Sequence, residues 1–237
     1  MFQKPLYISD IEVNLPENRL TNKDINLEYP KWNVSSTEEK FGVNSRPIAA
    51  EGETAFDLAL TACRSLLERH SGIKEKIDAI IFCTQTPDYL LPPNSCLLHK
   101  ELELPESVLA FDFNLACSGY IYGLAIAQGF FEIGLAHNTL LVNADTYSKI
   151  IHKGDRSTRL LFGDGASVTL LKAAEQEQKG LIDVNCLTFG KGYQNFIVPA
   201  GGFRLPKSSV TNKEKEDKYG SIRTDEHIHM KGPGVLG

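Results

Sequence analysis

Several features that mark specialised classes of protein are missing from this sequence. No apolar run approaches the ~18 residues that a membrane-spanning helix requires, and residues 1–16 lack the long apolar segment of a signal peptide. Positive charge is not in excess, because 25 Lys and Arg stand against 30 Asp and Glu, and this argues against a nucleic-acid-binding surface. Short tandem repeats and low-complexity tracts are absent as well. We therefore expect no membrane span and no nucleic-acid partner.

Cysteine is scarce, and its count of five is odd. Four of the cysteines lie in apolar contexts, which is typical of free thiols in a reducing compartment and predicts a cytoplasmic protein without a disulfide framework. The chain has 237 residues, of which 42% are hydrophobic and 23% charged, as in an ordinary globular protein. This length allows one large domain or two small ones, with ample core in either case.

The sequence contains a recurring alternation of apolar strands and helices. The helix over 118–133 is apolar nearly all round, so we expect it to be buried on every side. Two later strands, over 167–173 and 181–189, are expected to pair with each other. The alternation predicts an α/β fold in which a mostly parallel sheet is covered by helices on both faces. The earlier predicted elements are a helix over 54–69 capped by Thr54, a strand over 78–86, a Pro-rich turn, a short helix from Asn94, and strands from Val108 and over 139–145.

The stretch 206–237 is less regular. The stretch 206–220 is rich in Lys, Ser and Glu and is predicted to be a solvated loop. It is not interpreted as a linker, because a strand pattern resumes over Ser221–Met230. A Gly-Pro turn followed by Val235 and Leu236 resembles the beginning of a further element. Two interpretations stay open here: the sequence is part of a longer protein, or it is a naturally short one.

Cys117 is the strongest candidate for chemistry. It lies between an apolar strand and the first turn of the apolar helix, and Ser118 and Gly119 allow a tight turn there. The free N–H groups of that turn and the positive helix end, equivalent to about half a charge, should lower the pKa of the thiol from ~8.5 toward 3.5–7.5. A thiolate beside backbone donors suits attack on a thioester. On spacing alone, an inert core cysteine remains the alternative.

Several segments in one order resemble beta-ketoacyl-acyl-carrier-protein synthase III, a member of the thiolase superfamily. They lie at 41–46, 52–62, 77–92, 110–124 and 155–167, so the resemblance spans nearly the whole chain. The tetrapeptide Ala116-Cys117-Ser118-Gly119 is similar to the type III enzymes. It differs from the Cys-Ala-Thr pattern of elongating synthases and the Cys-Phe-Ala-Gly pattern of chalcone synthases.

The resemblance implies a thiolase-like layered fold in which residues 1–237 form the N-terminal part and the start of the second half. It implies a ping-pong reaction in fatty acid or related biosynthesis, in which acyl-CoA loads Cys117 and malonyl-acyl carrier protein then condenses with loss of carbon dioxide. The Cys117 backbone N–H would be an oxyanion donor. We expect no cofactor and no metal. We expect the protein to form a homodimer.

Four further residues match substrate-binding positions of the resembling family. Arg156 would contact the adenine and phosphate region of CoA, which suits a guanidinium, with a surface loop charge as the alternative. Arg46 matches an arginine near the CoA entrance. Trp32 would stack on adenine, but it lies farther ahead of Phe41 than in the usual pattern, so plain packing competes. Leu91 would reach across a homodimer interface and line the acyl pocket of the partner subunit. The alternative is that Leu91 is a buried residue that anchors its own loop.

The remaining candidates are assigned to structural roles. Gly163, Asp164 and Gly165 belong to a signature loop that lacks the spacing of a dinucleotide fingerprint, so we expect it to support the site without catalysing. His227 and His229 share a strand face, but two His without a third ligand predict no metal. The other cysteines are expected to be core or near-core thiols: Cys63, Cys83, Cys96 and Cys186.

The resemblance also implies a catalytic His and Asn, and neither has a counterpart in these residues. Both lie in the second half of the family's fold, and residues 230–237 resemble the segment just ahead of it. Three functions therefore stay open. The chain is the nucleophile-bearing part of a synthase, an acyltransferase of the same fold that does not condense, or a non-catalytic subunit that pairs with a complete synthase.

Overall fold

The computed structural model describes residues 5–174 and 180–232. Val235 and Leu236, which follow the Gly-Pro turn and suggested a further element, lie outside these ranges. The strands are β1 (Leu6–Asn14), β2 (Arg19–Thr21), β3 (Ser45–Pro47), β4 (Ala79–Cys83), β5 (Leu109–Phe113), β6 (Asn138–Asp145), β7 (Gly165–Ala173), β8 (Phe196–Ile197), β9 (Lys215–Glu216), β10 (Ile222–Arg223) and β11 (His229–Met230). The α-helices are α1 (Asn22–Glu28), α2 (Val34–Phe41), α3 (Ala55–Arg69), α4 (Asn94–Glu101), α5 (Gly119–Glu132) and α6 (Arg156–Arg159).

The chain divides into two compact units. The sheet unit comprises Met1–Pro16, Ala50–Asp145 and Gly165–Cys186, and it contains the large sheet with α3, α4 and α5. The loop unit comprises Glu17–Ala49, Thr146–Asp164 and Leu187–Gly237. No helix within the described ranges is long and apolar enough to span a bilayer.

The sheet has the strand order β1-β7-β6-β4-β5. β4 pairs in parallel with both β5 and β6, while β7 pairs antiparallel with both β6 and β1. Four of the five strands therefore point the same way and only β7 opposes them, which confirms the predicted mostly parallel sheet. At the end of β6, Asp145 lies directly opposite Gly165, the first residue of β7.

Helices cover both faces of the sheet, as predicted. On β4, Ile80 and Phe82 pack in one core cluster with α3 and α4, while Ile81 packs in a second cluster with α5. α3 begins at a capping box in which Thr54 accepts from the Asp57 N–H and the Asp57 carboxylate accepts from the Thr54 N–H. Its buried face holds the stripe expected from helical spacing: Ala55, Leu58, Ala59, Ala62, Cys63 and Leu66.

The prediction for α5 is wrong in one respect. The helix forms where expected, and Leu124, Ala127 and Phe131 are buried against the sheet. Ile121, however, is 43% exposed, and Gly129 is exposed as well. A helix that is apolar all round needs packing partners on every side, but in the sheet unit the sheet packs against only one of its faces.

The pairing expected for the later strands is also wrong. Residues 181–189 form no strand, although the Leu181 N–H donates to the Leu6 carbonyl at 2.6 Å. The physical reason is that β1 and β6 already occupy both edges of β7. Within 221–230, only the two-residue strands β10 and β11 form, and they pair with β9 and β8.

The polar stretch 206–220 is largely exposed, as predicted. It is nevertheless ordered by internal contacts, because Thr211 is buried and its hydroxyl donates to the Glu226 carboxylate at 2.7 Å. The Lys215 ammonium donates to Asp225 at 2.6 Å. The loop therefore folds onto its own unit.

Candidate active site

Cys117 lies in the connection between β5 and α5. Residues Ala116–Ser118 form one turn of 3-10 helix, and Gly119 then begins α5. Ala116 has φ +48°, in the left-handed region that non-glycine residues rarely adopt. Cys117 itself is exposed. The predicted tight turn is therefore present, and this exposure is the opposite of what an inert core cysteine would show; the role of Cys117 as a nucleophile stays a prediction.

A second thiol lies next to this turn. Cys83, the last residue of β4, is 2% exposed, and its Sγ lies 3.9 Å from the Ala116 carbonyl oxygen. A Cβ added to Gly119 would come within 2.2 Å of the Cys83 Sγ, so the start of α5 fits only without a side chain there. Burial raises the pKa of the Cys83 thiol, and Asp145 and Cys117 raise it further.

A partly buried carboxylate organises the loop after β4. The Asp145 Oδ1 accepts the N–H groups of Gln85 and Thr86, at 2.7 and 3.1 Å, and the Thr84 hydroxyl at 3.1 Å. Burial raises the pKa of Asp145 despite these hydrogen bonds. The Gln85 amide in turn donates to the Asn114 Oδ1 at 2.7 Å, which joins the ends of β4 and β5.

The sequence interpretation missed this group of residues at the carboxyl ends of β4 and β6. Cys83 was taken only as a core thiol, and Asp145 and Gln85 were not considered. One signal could have found them, because each lies at or just after the carboxyl end of a parallel strand, where functional groups of α/β proteins collect.

Leu91 is not the buried loop anchor that was its alternative. It is 82% exposed, and its neighbours Leu90 and Tyr89 are 83% and 58% exposed. The base of this loop is fixed, because the Asn94 amide donates to the Asp88 carboxylate at 3.1 Å while the Asp88 N–H donates back to Asn94. Hydrogen bonds therefore hold the base of this loop, while its tip exposes apolar side chains.

Arg156 begins α6 in the loop unit and lines a cavity of about 930 Å³. The turn that carries it is held by Asp155, which is fully buried and accepts from the Ser157 N–H at 2.9 Å. Five cationic side chains line this cavity with two carboxylates, Glu216 and Asp217: the cations are Arg156, Lys218, Lys231, Lys215, which is paired with Asp225, and Arg223, which is paired with Asp155 and Asp217. Such a lining favours a polyanionic ligand.

The structure corrects the expectation for Arg46. Its side chain is buried, with 1% exposure, and its Nε and Nη1 donate to the Leu160 carbonyl and the Asn22 Oδ1 at 2.9 and 2.7 Å. Burial lowers the pKa of the guanidinium. Arg46 ties together three segments of the loop unit, and the expected contact with substrate has no exposed surface on which to form.

Trp32 packs within the loop unit. Its ring stacks on Tyr29 with a centroid distance of 4.1 Å and an interplanar angle of 16°, and it contacts the cluster of Ile25, Val34 and Leu160. The Arg159 guanidinium lies 5.4 Å from the Tyr29 centroid. The loop unit thus groups Trp32, Arg46 and Arg156 around Leu160, and one face of the indole is already covered.

The signature loop has the contacts of a structural support. Asp164 is buried and accepts the N–H groups of Ala49 and Ser148, each at 2.8 Å. A Cβ on Gly163 would lie 2.8 Å from the Pro47 carbonyl oxygen, and one on Gly165 would lie 2.8 Å from a Leu15 methyl carbon. Gly163 is therefore required by its close approach to the backbone, whereas the contact at Gly165 is with the end of a flexible side chain.

The histidines are held by Thr224. The His227 Nδ1 lies 2.7 Å from the Thr224 hydroxyl, and the His229 Nε2 lies 3.0 Å from its carbonyl oxygen. Burial lowers the pKa of His227, and neighbouring His152 adds to this effect. Over residues 5–174 and 180–232, no group of three or more His, Cys, Asp or Glu is arranged to hold a metal. Among the thiols expected in or near the core, Cys96 is exposed, because it points outward from α4.

Comparisons with known proteins agree with this geometry. The sequence profile described as 3-oxoacyl-[acyl-carrier-protein (ACP)] synthase III matches residues 111–190. A beta-ketoacyl-[acyl-carrier-protein] synthase III of Aliarcobacter butzleri is 39% identical over 195 residues, which cover 80% of this chain and 58% of the relative. Another of that name from Sulfurovum sp. is 36% identical over 212 residues, which cover 86% of this chain and 61% of the relative.

Solved structures give the same result. A crystal structure of a 3-oxoacyl-(acyl-carrier-protein) synthase III is 45% identical, with a TM-score of 0.93 over 98% of this chain and 68% of that chain. The synthase from Burkholderia xenovorans LB400 is 33% identical, with a TM-score of 0.83 over 98% of this chain and 64% of that chain.

The layered α/β sheet with a cysteine at the start of the following helix defines a thiolase-like fold. Within that class, the chain belongs to the 3-oxoacyl-[acyl-carrier-protein] synthase III family. It spans about three fifths of the length of the curated relatives it matches.

Proposed function

We propose that the full-length protein is a 3-oxoacyl-acyl-carrier-protein synthase of type III in which Cys117 carries the acyl group. The observation that carries this proposal is the exposed Cys117 in the turn that joins β5 to α5. In such a turn the sulfur would lie beside the free N–H groups of a helix start, where a negative charge on an attacked carbonyl is stabilised. Membership of the family supports the same assignment.

The reaction has two halves. The Cys117 sulfur attacks the thioester carbon of acyl-CoA, the negative oxygen is held by backbone N–H groups that include that of Cys117, and the CoA thiolate leaves. Malonyl-acyl carrier protein then loses carbon dioxide, and the resulting carbanion attacks the acyl group and frees the Cys117 sulfur. The His and Asn that the resemblance implies would assist this second half in the full-length enzyme.

We assign CoA recognition to the cavity lined by Arg156. Its excess of cationic over acidic side chains suits the phosphates of CoA, for which a guanidinium is a good partner. Trp32 is less suited to adenine than expected, because Tyr29 covers one face of its ring. Arg46 acts from within the unit by holding Leu160, which lines this cavity.

The proposal includes a homodimer. β5 is an edge strand of the sheet and pairs with β4 alone among the described strands. The loop that ends with the exposed Tyr89, Leu90 and Leu91 presents apolar side chains, which a monomer would leave in water. A second copy that covers this tip would place Leu91 at the partner's acyl pocket, as the resemblance implies.

Acylation by labelled acyl-CoA tests the proposal. The full-length protein is incubated with ¹⁴C-acetyl-CoA, and protein-bound label is counted after precipitation. We expect stoichiometric labelling that Cys117→Ala abolishes and that Cys96→Ala, which removes another exposed thiol, leaves unchanged. Labelling that survives Cys117→Ala would refute the assignment. Release of carbon dioxide from malonyl-acyl carrier protein separates condensation from simple acyl transfer.

A further inference from the structure

The neighbourhood of Cys117 contains a feature that acyl transfer does not need. The buried Cys83 thiol lies against the same turn, with its Sγ 3.9 Å from the Ala116 carbonyl oxygen and directly beneath Gly119. Cys63, in contrast, packs in the core cluster on the α3 face of the sheet. Cys83 therefore contacts residues immediately before and two positions after Cys117.

The two thiols differ in access. Cys117 is exposed, whereas Cys83 is 2% exposed and shielded by α5. An oxidant from solution therefore meets Cys117 first. Burial raises the pKa of the Cys83 thiol, and the side-chain hydrogen bond of Asn143, its partner on β6, lowers it in part. A shielded thiol next to an exposed one is the arrangement in which one sulfur is oxidised and the other resolves it.

We propose that Cys117 is a site of oxidation by hydroperoxides and that Cys83 is its resolving thiol. In the first step the Cys117 sulfur attacks the outer oxygen of a hydroperoxide, the O–O bond breaks, and Cys117 sulfenic acid and an alcohol or water form. In the second step the Cys83 sulfur attacks the sulfenic sulfur, an S–S bond forms, and water leaves. Two thiols lose two electrons in total, and the hydroperoxide gains them.

The contact of Cys83 with the Ala116 carbonyl limits how far apart the two cysteines can be. The Ala116 carbonyl belongs to the peptide bond that ends at the Cys117 Cα, so the Cys83 Sγ lies within roughly 7 Å of that Cα. A disulfide needs Cα atoms about 4.4–6.8 Å apart and sulfurs about 2 Å apart, so its formation requires the exposed Cys117 side chain to rotate toward Cys83 and the turn that carries it to move with it.

The disulfide would protect the nucleophile. Without a resolving thiol, sulfenic acid is oxidised further to sulfinic acid, which ordinary thiols do not reduce. With one, a reducing agent restores both thiols. The inference rests on the proposed function only in that it takes Cys117 to be a reactive sulfur, and acylated Cys117 should be protected from hydroperoxide.

The experiment treats the full-length protein with hydrogen peroxide, blocks free thiols with N-ethylmaleimide and maps the products by mass spectrometry. We expect a loss of about 2 Da, a linked pair of peptides that contain Cys83 and Cys117, and full recovery of both thiols with dithiothreitol. In Cys83→Ala, Cys117 should proceed to sulfinic acid, and dithiothreitol should recover roughly a tenth or less of the thiol that it recovers in the unchanged protein. Cys96→Ala is the matched control and should behave as the unchanged protein.

Further readouts make the result decisive. If Cys83→Ala does not fold by circular dichroism, Cys83→Ser replaces it, because it keeps a similar volume. The inference is overturned if Cys117 of the unchanged protein becomes sulfinic acid as fast as in the variant, or if Cys117 pairs with another cysteine. Acyl labelling of the untreated sample separates the two proposals, since a disulfide without acylation would refute only the proposed function.

Discussion

The fit between Gly119 and Cys83 permits a quantitative prediction. In Gly119→Ala, the new methyl group would lie 2.2 Å from the Cys83 Sγ and 3.6 Å from a Phe113 ring carbon. Relieving such a clash in a packed core costs about 1–3 kcal/mol. Alanine's advantage over glycine, about 1 kcal/mol in a helix interior, is smaller at the first helical position that Gly119 occupies. We expect a net loss of about 1–2 kcal/mol, or about 2–8 °C in Tm.

The matched control lies on the same helix. A Cβ on Gly129 would meet no atom within 4 Å, so Gly129→Ala should stabilise the protein by about 0.5–1 kcal/mol through helix propensity alone. Urea unfolding followed by circular dichroism gives the free energy of unfolding of each variant.

Removal of the opposing sulfur completes the test. In the double variant Gly119→Ala with Cys83→Ala, the methyl group occupies the space that the sulfur leaves. We expect the double variant to be about 1–2 kcal/mol more stable than the sum of the single changes implies. The reasoning is refuted if Gly119→Ala is as harmless as Gly129→Ala, or if the two changes are additive.

Two further predictions concern the loop after β4 and its exposed tip. Folding raises the pKa of Asp145, so the folded state binds its proton more tightly, and stability should fall as the pH rises from about 3.9 through the raised value. Asp145→Asn should reduce the dependence of the urea unfolding midpoint on pH in this range. The exposed control Asp183→Asn should leave that dependence as it is in the unchanged protein. An unchanged slope in Asp145→Asn would contradict the assignment to Asp145. Leu91→Asp should convert the proposed dimer to a monomer, as measured by light scattering, because dimer formation would bury the new charge at the loop tip. The control Leu187→Asp, at an equally exposed position, should not change the oligomeric state. Equal behaviour of the two variants would count against the proposed interface.

Local patterns predicted the elements of this fold better than their partners. α3 was predictable because the Thr54 cap and the apolar stripe are both local signals. The failure at 181–189 was a failure of pairing, since no local pattern indicates that β1 and β6 occupy both edges of β7. The exposed side of α5 was missed for a similar reason, because an all-apolar helix shows that partners are needed and not where they are.

The residues of the candidate site also fall into those that local sequence predicts and those that it does not. Cys117 was predictable because a strand, a short turn and a helix follow one another in the sequence. Cys83 was not, because its approach to Gly119 depends on how β4 and β5 pair. Arg46 was placed by its motif alone, and the motif does not reveal that Leu160, far along the chain, would accept its hydrogen bonds. Contacts between distant segments need the folded structure.

The pairing of Asp145 with Gly165 determines where the segment between them can vary in length. The chain leaves the sheet after one of these residues and returns at the other, and the two lie side by side. Residues 146–164 thus form a closed excursion whose anchor points are fixed by the ladder. Asp155 and Asp164 are buried within this segment, so only insertions at its exposed positions should add no more than the closure cost of a flexible loop, about 0.6 kcal/mol for each doubling of length. Such insertions should leave the pairing of β6 with β7 unchanged.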